Sequence, residues 1–143
     1  GAPANMSFLT KQDYQNYLVS LADFPRYNQE HIVSLKEAIS KGHVHYCETF
    51  RNYHNGISKH LVDDIQQSVF YAPFANIPAN FSAQDKQHFI KAGSKLIEES
   101  IIPEYKKFYQ FFTQEYMANC RSEVGISELA GGKDYYKYLI ELI

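Results

Sequence analysis

The sequence has no tryptophan, two methionines and two cysteines among its 143 residues. Two cysteines, Cys47 and Cys120, cannot build a disulfide framework; they pair with each other in an oxidising compartment or stay as two buried thiols, and spacing leaves both readings open. No run of about 18 apolar residues occurs, so nothing in the chain reads as a membrane span. There is no block of like charge either. With 14 basic and 16 acidic residues the formal charge is −2, which offers no surface to nucleic acid or to an anionic membrane. Internal repeats and low-complexity tracts are also missing. The opening GAPANMS is neither basic nor followed by an apolar signal core, and reads as a linker or expression remnant over residues 1–7. Residues 8–143 then suit one domain able to bury a substantial core.

What the chain does have is aromatic rings: 12 Tyr and 10 Phe. Rings in that number suit half-buried helix faces, where the ring packs and a phenol reaches a polar partner. The organising stretch is Ser82 to Arg121. Ser82 with Asp85 matches a helix start, and Phe89, Gly93, Leu96, Ile97 and Ser100 follow on one face. Pro103 removes a backbone donor, so the spacing predicts a kink or a restart there. Beyond it Tyr105, Phe108, Tyr109, Phe112 and Tyr116 form an aromatic stripe that must be covered.

Upstream, Thr10 and Asp13 open a helix carrying Tyr14, Tyr17, Leu18 and Leu21, which Pro25 is expected to end. A second helix is expected from Asn28 as N-cap, presenting Ile32, Leu35 and Ile39 and closing at Lys41-Gly42. A third is expected over residues 44–67, although Asn55-Gly56 is a hairpin dipeptide. Residues 69–81, VFYAPFANIPANF, read as an apolar loop plugging the helices. A connection after Arg121 leads to a last helix from Asp134. No segment reads as a β-strand. The expectation is an all-α bundle of about five or six helices around the long, Pro103-kinked one. The chain stops at YLIELI, inside an unfinished amphipathic pattern, which suggests a fragment of a larger protein.

Candidate chemistry is sparse. His43 and Cys47 share a helical face, but zinc needs a further ligand and the His-Glu-x-x-His signature is absent, so no metal site is assigned. Gly131-Gly132-Lys133 fails as a phosphate loop, because Ser127 stands where a glycine is needed and Asp134 where Ser or Thr is. Asp63-Asp64 and Glu98-Glu99 are neighbours pointing about 100° apart on a helix, so neither is an acid/base pair. Glu115 borders the aromatic stripe and is the candidate buried carboxylate. No nucleophile is paired with a base, so no catalytic residue is assigned.

The order of motifs resembles one family. IPEYKKFYQFFTQEYMANCR followed by GISELAGGKDYYKYL is similar to a hallmark of the bacterial domain of unknown function 885. The matching positions are Pro103, Tyr105, Glu115, Tyr116, Arg121, Gly125, Leu129, Gly131, Gly132, Tyr135 and Tyr136. DYQNYLVSLADFP, Lys41-Gly42 and SVFYAPFANIP extend the resemblance over nearly the whole chain. Ala130 departs from the usual proline of the glycine turn. Members of that family are several times longer and carry a His-Glu helix with a further His downstream, resembling zinc-dependent peptidases; that part has no counterpart here. The resemblance implies a metallopeptidase-like parent, exported, periplasmic or lipid-anchored in bacteria, with zinc as its cofactor. This chain would be inactive by itself, with no cofactor of its own. Its partners would be the remainder of the parent, a second copy, or a peptide substrate. Arg121, Gly131, Gly132, Tyr135 and Tyr136 are the candidates for a substrate cleft, since a Gly-Gly backbone can run beside a peptide, Tyr hydroxyls can donate and Arg can hold a carboxylate. The alternative function is a stand-alone helical interaction or oligomerisation module.

Overall fold

The computed structural model describes residues 6–43 and 53–120, with Tyr53 and His54 through their backbone alone. It is all-α, and no strand occurs among the described residues. Four helices are found there: α1 (Lys11–Ser40), α2 (Tyr53–Ser58), α3 (Ala72–Ala75) and α4 (residues 83–119). Two 3-10 turns, Ile65–Gln67 and Val69–Tyr71, join α2 to α3.

α1 starts as its sequence dictates. Thr10 accepts from the Asp13 backbone N–H, and Asp13 returns the bond to the Thr10 backbone, closing a capping box. The Asp13 carboxylate also accepts from the Leu9 N–H, and these backbone bonds, with those from Thr10, hold it below the usual carboxylate range. The end is equally local. Gly42 lies at φ +72°, the His43 N–H reaches the Ala38 carbonyl and the Gly42 N–H that of Ile39, which is a Schellman closure.

The interior of α1 corrects the sequence expectation. Pro25 does not end a helix and Asn28 does not cap one; both lie inside a single 30-residue helix. A proline there withdraws a hydrogen bond at a cost of about 3 kcal/mol. Against this stands a continuous buried face of Tyr14, Tyr17, Leu21, Asn28, Leu35 and Ala38, each large apolar side chain contributing roughly 1.5–3 kcal/mol on burial. Breaking the helix would dismantle that face. Arg26 also bridges the proline, donating to Asp23 and to Glu30.

α4 is one continuous 37-residue element. Ser82 caps it by accepting from the Asp85 N–H, as expected. At Pro103 it neither breaks nor restarts. It widens one turn earlier, at Ile97–Ile101, where the Ile102 N–H reaches back to the Ile97 carbonyl in a π-helical bond. The extra residue in that turn makes room for the pyrrolidine ring, which would otherwise crowd the carbonyl four residues before it. A second π turn spans Phe112–Tyr116. The Thr113 hydroxyl bonds the Tyr109 carbonyl at 2.7 Å there, competing with the backbone donor for it.

The expected third helix holds through Asn55-Gly56 but stops at Ser58; its residues 44–52 lie outside the described ones. The chain turns at Lys59 and His60, with His60 buried, and Asp64 caps the following 3-10 turn. Residues 69–75 do plug the core. Phe70 and Phe74 are buried, and two α1 phenols hold the backbone down: Tyr14 donates to the Pro73 carbonyl at 2.7 Å and Tyr17 to that of Phe70 at 2.8 Å. α1 lies along both halves of α4, α3 covers its first turns and α2 packs against residues 102–111. Met6 and Phe8 pack on the same core.

Phe74 and Gly93 fit closely. A Cβ at Gly93 would stand 2.2 Å from the tip of the Phe74 ring, and that ring is itself fully enclosed. Gly93→Ala therefore loses stability by about 1–2 kcal/mol, overpacking outweighing the helix propensity it gains. Urea denaturation checks this. Adding Phe74→Leu recovers part of the loss, whereas a stabilised single variant would contradict the packing.

Candidate functional site

The buried polar groups of the described residues are few: Asn28, His60, Ser68 and Glu104. Two of them meet. Glu104 is 4% exposed, on the face of α4 turned to α1, next to the buried Tyr105. The Asn28 amide donates both to its Oε2 at 2.9 Å and to its backbone carbonyl at 3.1 Å. Oε1 accepts from Lys107 at 2.9 Å and from Gln29 at 3.3 Å. Burial by itself would raise this carboxyl, but the bonds from Asn28, Lys107 and Gln29, with the charge of Lys107, outweigh it and hold the group below its ordinary value. A carboxylate so fully engaged is a poor proton carrier and a good anchor.

Tyr105, the next residue, packs against both α1 and the turn after α2. Its ring stacks with Phe24 of α1, centroids 5.2 Å apart, and with His60 after α2, centroids 4.4 Å apart. Burial pushes its phenol well above the usual range. Glu104 and Tyr105 together tie α1, α2 and α4 at one level of the fold.

The sequence-based candidates fall differently. Glu115 is exposed, which corrects its assignment as a buried carboxylate; Glu104 is the buried one. The reason is the π turn at Phe112–Tyr116, whose extra residue rotates Glu115 away from the stripe while keeping Phe112 and Tyr116 inside and nearly parallel, 5.6 Å apart. Arg121, Gly131, Gly132, Tyr135 and Tyr136 lie outside the described residues, as does Cys47. Cys120 is disulfide-bonded. No three His, Cys, Asp or Glu side chains gather as a metal-ligand set among the described residues. No described helix is long and apolar enough to cross a membrane.

Glu104 and Asn28 went unread in the sequence, yet a signal was present. Tyr14, Leu21, Asn28 and Leu35 are spaced by seven, which places Asn28 on the buried face once the helix is allowed to run through Pro25. A polar residue at such a position demands a partner. Nothing in the spacing of α4 names Glu104 as that partner.

The sequence pattern of the family described as "Bacterial protein of unknown function (DUF885)" matches residues 2–142. No curated protein and no solved structure matches the chain.

Asn28→Ala leaves the Glu104 carbonyl and one carboxylate oxygen short of donors and costs about 2–3 kcal/mol by urea titration. Replacing both partners at once, as Asn28→Leu with Glu104→Met, costs less than the sum of the single changes. The pH dependence has a definite sign. Because the folded-state value of Glu104 is depressed, its contribution is present above the ordinary carboxylate range and is lost as pH falls through the folded value. Glu104→Gln therefore flattens the acid limb of the stability curve; an unchanged limb would show that the carboxylate carries none of it.

Proposed function

The chain belongs to the bacterial domain of unknown function 885 family, and we propose that it is the non-catalytic helical support of a larger zinc-peptidase-like protein. The observation that supports this reading is the use made of the buried ionisable group. Glu104 is spent on holding α1 to α4, so the described part is built to carry α4 toward Arg121 rather than to move protons. Arg121, the Gly131-Gly132 turn, Tyr135 and Tyr136 would then line one wall of a peptide cleft. The zinc and its general base would come from elsewhere in the parent. The disulfide at Cys120 supports an oxidising compartment, and export to the periplasm or cell surface belongs to the proposal.

A second reading, a helical module that docks on a partner or on its own copy, draws on Leu9, Val19, Val33 and Val69, each at least half exposed.

The test uses a mixed peptide library with and without zinc, read by mass spectrometry for cleavage and by interferometry for binding. The expected result is no cleavage by this chain. Peptide binding is expected to weaken about tenfold in Arg121→Ala, as loss of a charge-assisted bond implies. Cleavage by the chain alone, or binding indifferent to Arg121, Tyr135 and Tyr136 together, would overturn the proposal. Concentration-dependent self-association in sedimentation would favour the docking module instead.

A further inference from the structure

His60 lies in the turn where α2 ends and is 7% exposed. Its ring stacks on Tyr105 of α4 at an interplanar angle of 29° and lies 5.7 Å from Phe70 of the plug. Phe70 and Tyr105 are 6.0 Å apart, so three rings from three segments close on one another. Nε2 of His60 is buried and makes no hydrogen bond. It is the one such side-chain atom among the described residues.

A neutral imidazole tolerates this position at the cost of one unmade hydrogen bond. An imidazolium does not, because it brings a charge and a further donor into a place where no group among the described residues receives them. The groups facing the ring offer no relief. Lys59 on its own turn is a cation and opposes a second one. Tyr105 from α4 is a phenol that burial keeps neutral, and Phe70 from the plug carries no charge. No carboxylate among the described residues acts on the imidazole.

We infer that His60 is an acid-opened latch: neutral, it holds the turn after α2 and the plug segment Val69–Tyr71 against α4, and on protonation its ring leaves and both are released. The tie is mechanical as well as electrostatic. Phe70 has its carbonyl held by Tyr17 and its ring held by His60 and Tyr105, so losing the imidazole removes one of the walls that keep it in place.

Burial, with the field of Lys59 second, pushes the imidazole from 6.5 down to about 4. The closed latch thus binds fewer protons than the open one between those values. It is tight above the ordinary histidine range and loosens as pH falls toward about 4. Within that window the open-to-closed ratio rises by up to about tenfold per pH unit.

Amide hydrogen exchange on the full chain tests this at neutral pH and about two units lower, corrected for intrinsic rates, with residues 83–96 as internal reference. Protection over residues 57–71 is expected to fall by about twentyfold relative to the reference across those two units. His60→Phe, which keeps an aromatic ring and removes the titration, is expected to abolish that extra loss. The same acid-dependent loss in His60→Phe would overturn the latch. Should that variant fail to fold, proton NMR of the wild-type ring decides. A His60 signal that stays neutral until the plug opens supports the latch. One that titrates near the ordinary histidine value with the plug still protected overturns it.

Discussion

Glu104 carries a negative charge into a helix face otherwise made of isoleucines and aromatic rings, and the placement of α1 on α4 follows from how that charge is tolerated. A buried carboxylate is stable only with its lone pairs engaged and a cation close by. Lys107 supplies the cation from the same helix, at i+3, with its own side chain largely in water. The decisive donor is Asn28, which comes from the other helix and grips both the carboxylate and the backbone of Glu104. An apolar contact can slide by a fraction of an ångström at small cost, but two hydrogen bonds from one amide cannot. Asn28 therefore sets the register of α1 against α4, and the stacking of Phe24 on Tyr105, one residue along, depends on that register.

Around this fixed point the aromatic packing is arranged by two departures from α geometry. The π turn at Ile97–Ile101 lets α4 absorb Pro103 without breaking, so the first-half face of Phe89, Gly93 and Ile97 and the second-half stripe of Tyr105, Phe108 and Phe112 remain on one rod. The second π turn aligns Phe112 with Tyr116 and turns Glu115 outward. The plug then closes the first half, its Phe74 ring fitting where Gly93 has no side chain and its backbone tied to Tyr14 and Tyr17. Pro103, Thr113 and Gly93 each act through what they withhold or compete for.

The family gives the chain a bacterial relationship and no activity. The functional proposals accordingly rest on chemistry: which groups are consumed by packing and which are left with an unmet demand. Glu104 is consumed. His60, with a buried nitrogen and no partner, is not.

Local capping was legible in the residues at three helix ends, and misled at Asn28, which lies inside α1. Thr10 with Asp13, Ser82 with Asp85 and Lys41-Gly42 behave as their sequence says, because a cap is a contact between neighbours in the chain. The all-α class and the buried aromatic stripe were legible for a similar reason, since 3.6-residue periodicity records which face meets the core. Tertiary structure alone decided the rest. It decided that Pro25 lies inside a helix, because the lost hydrogen bond is outweighed by a buried face whose partner is more than seventy residues away. It chose Glu104 over Glu115 as the buried carboxylate, because a position bordering the stripe does not record which side another helix covers, and α1 covers Glu104. And it placed His60 between Tyr105 and Phe70, a meeting of three segments that no spacing along one of them can record.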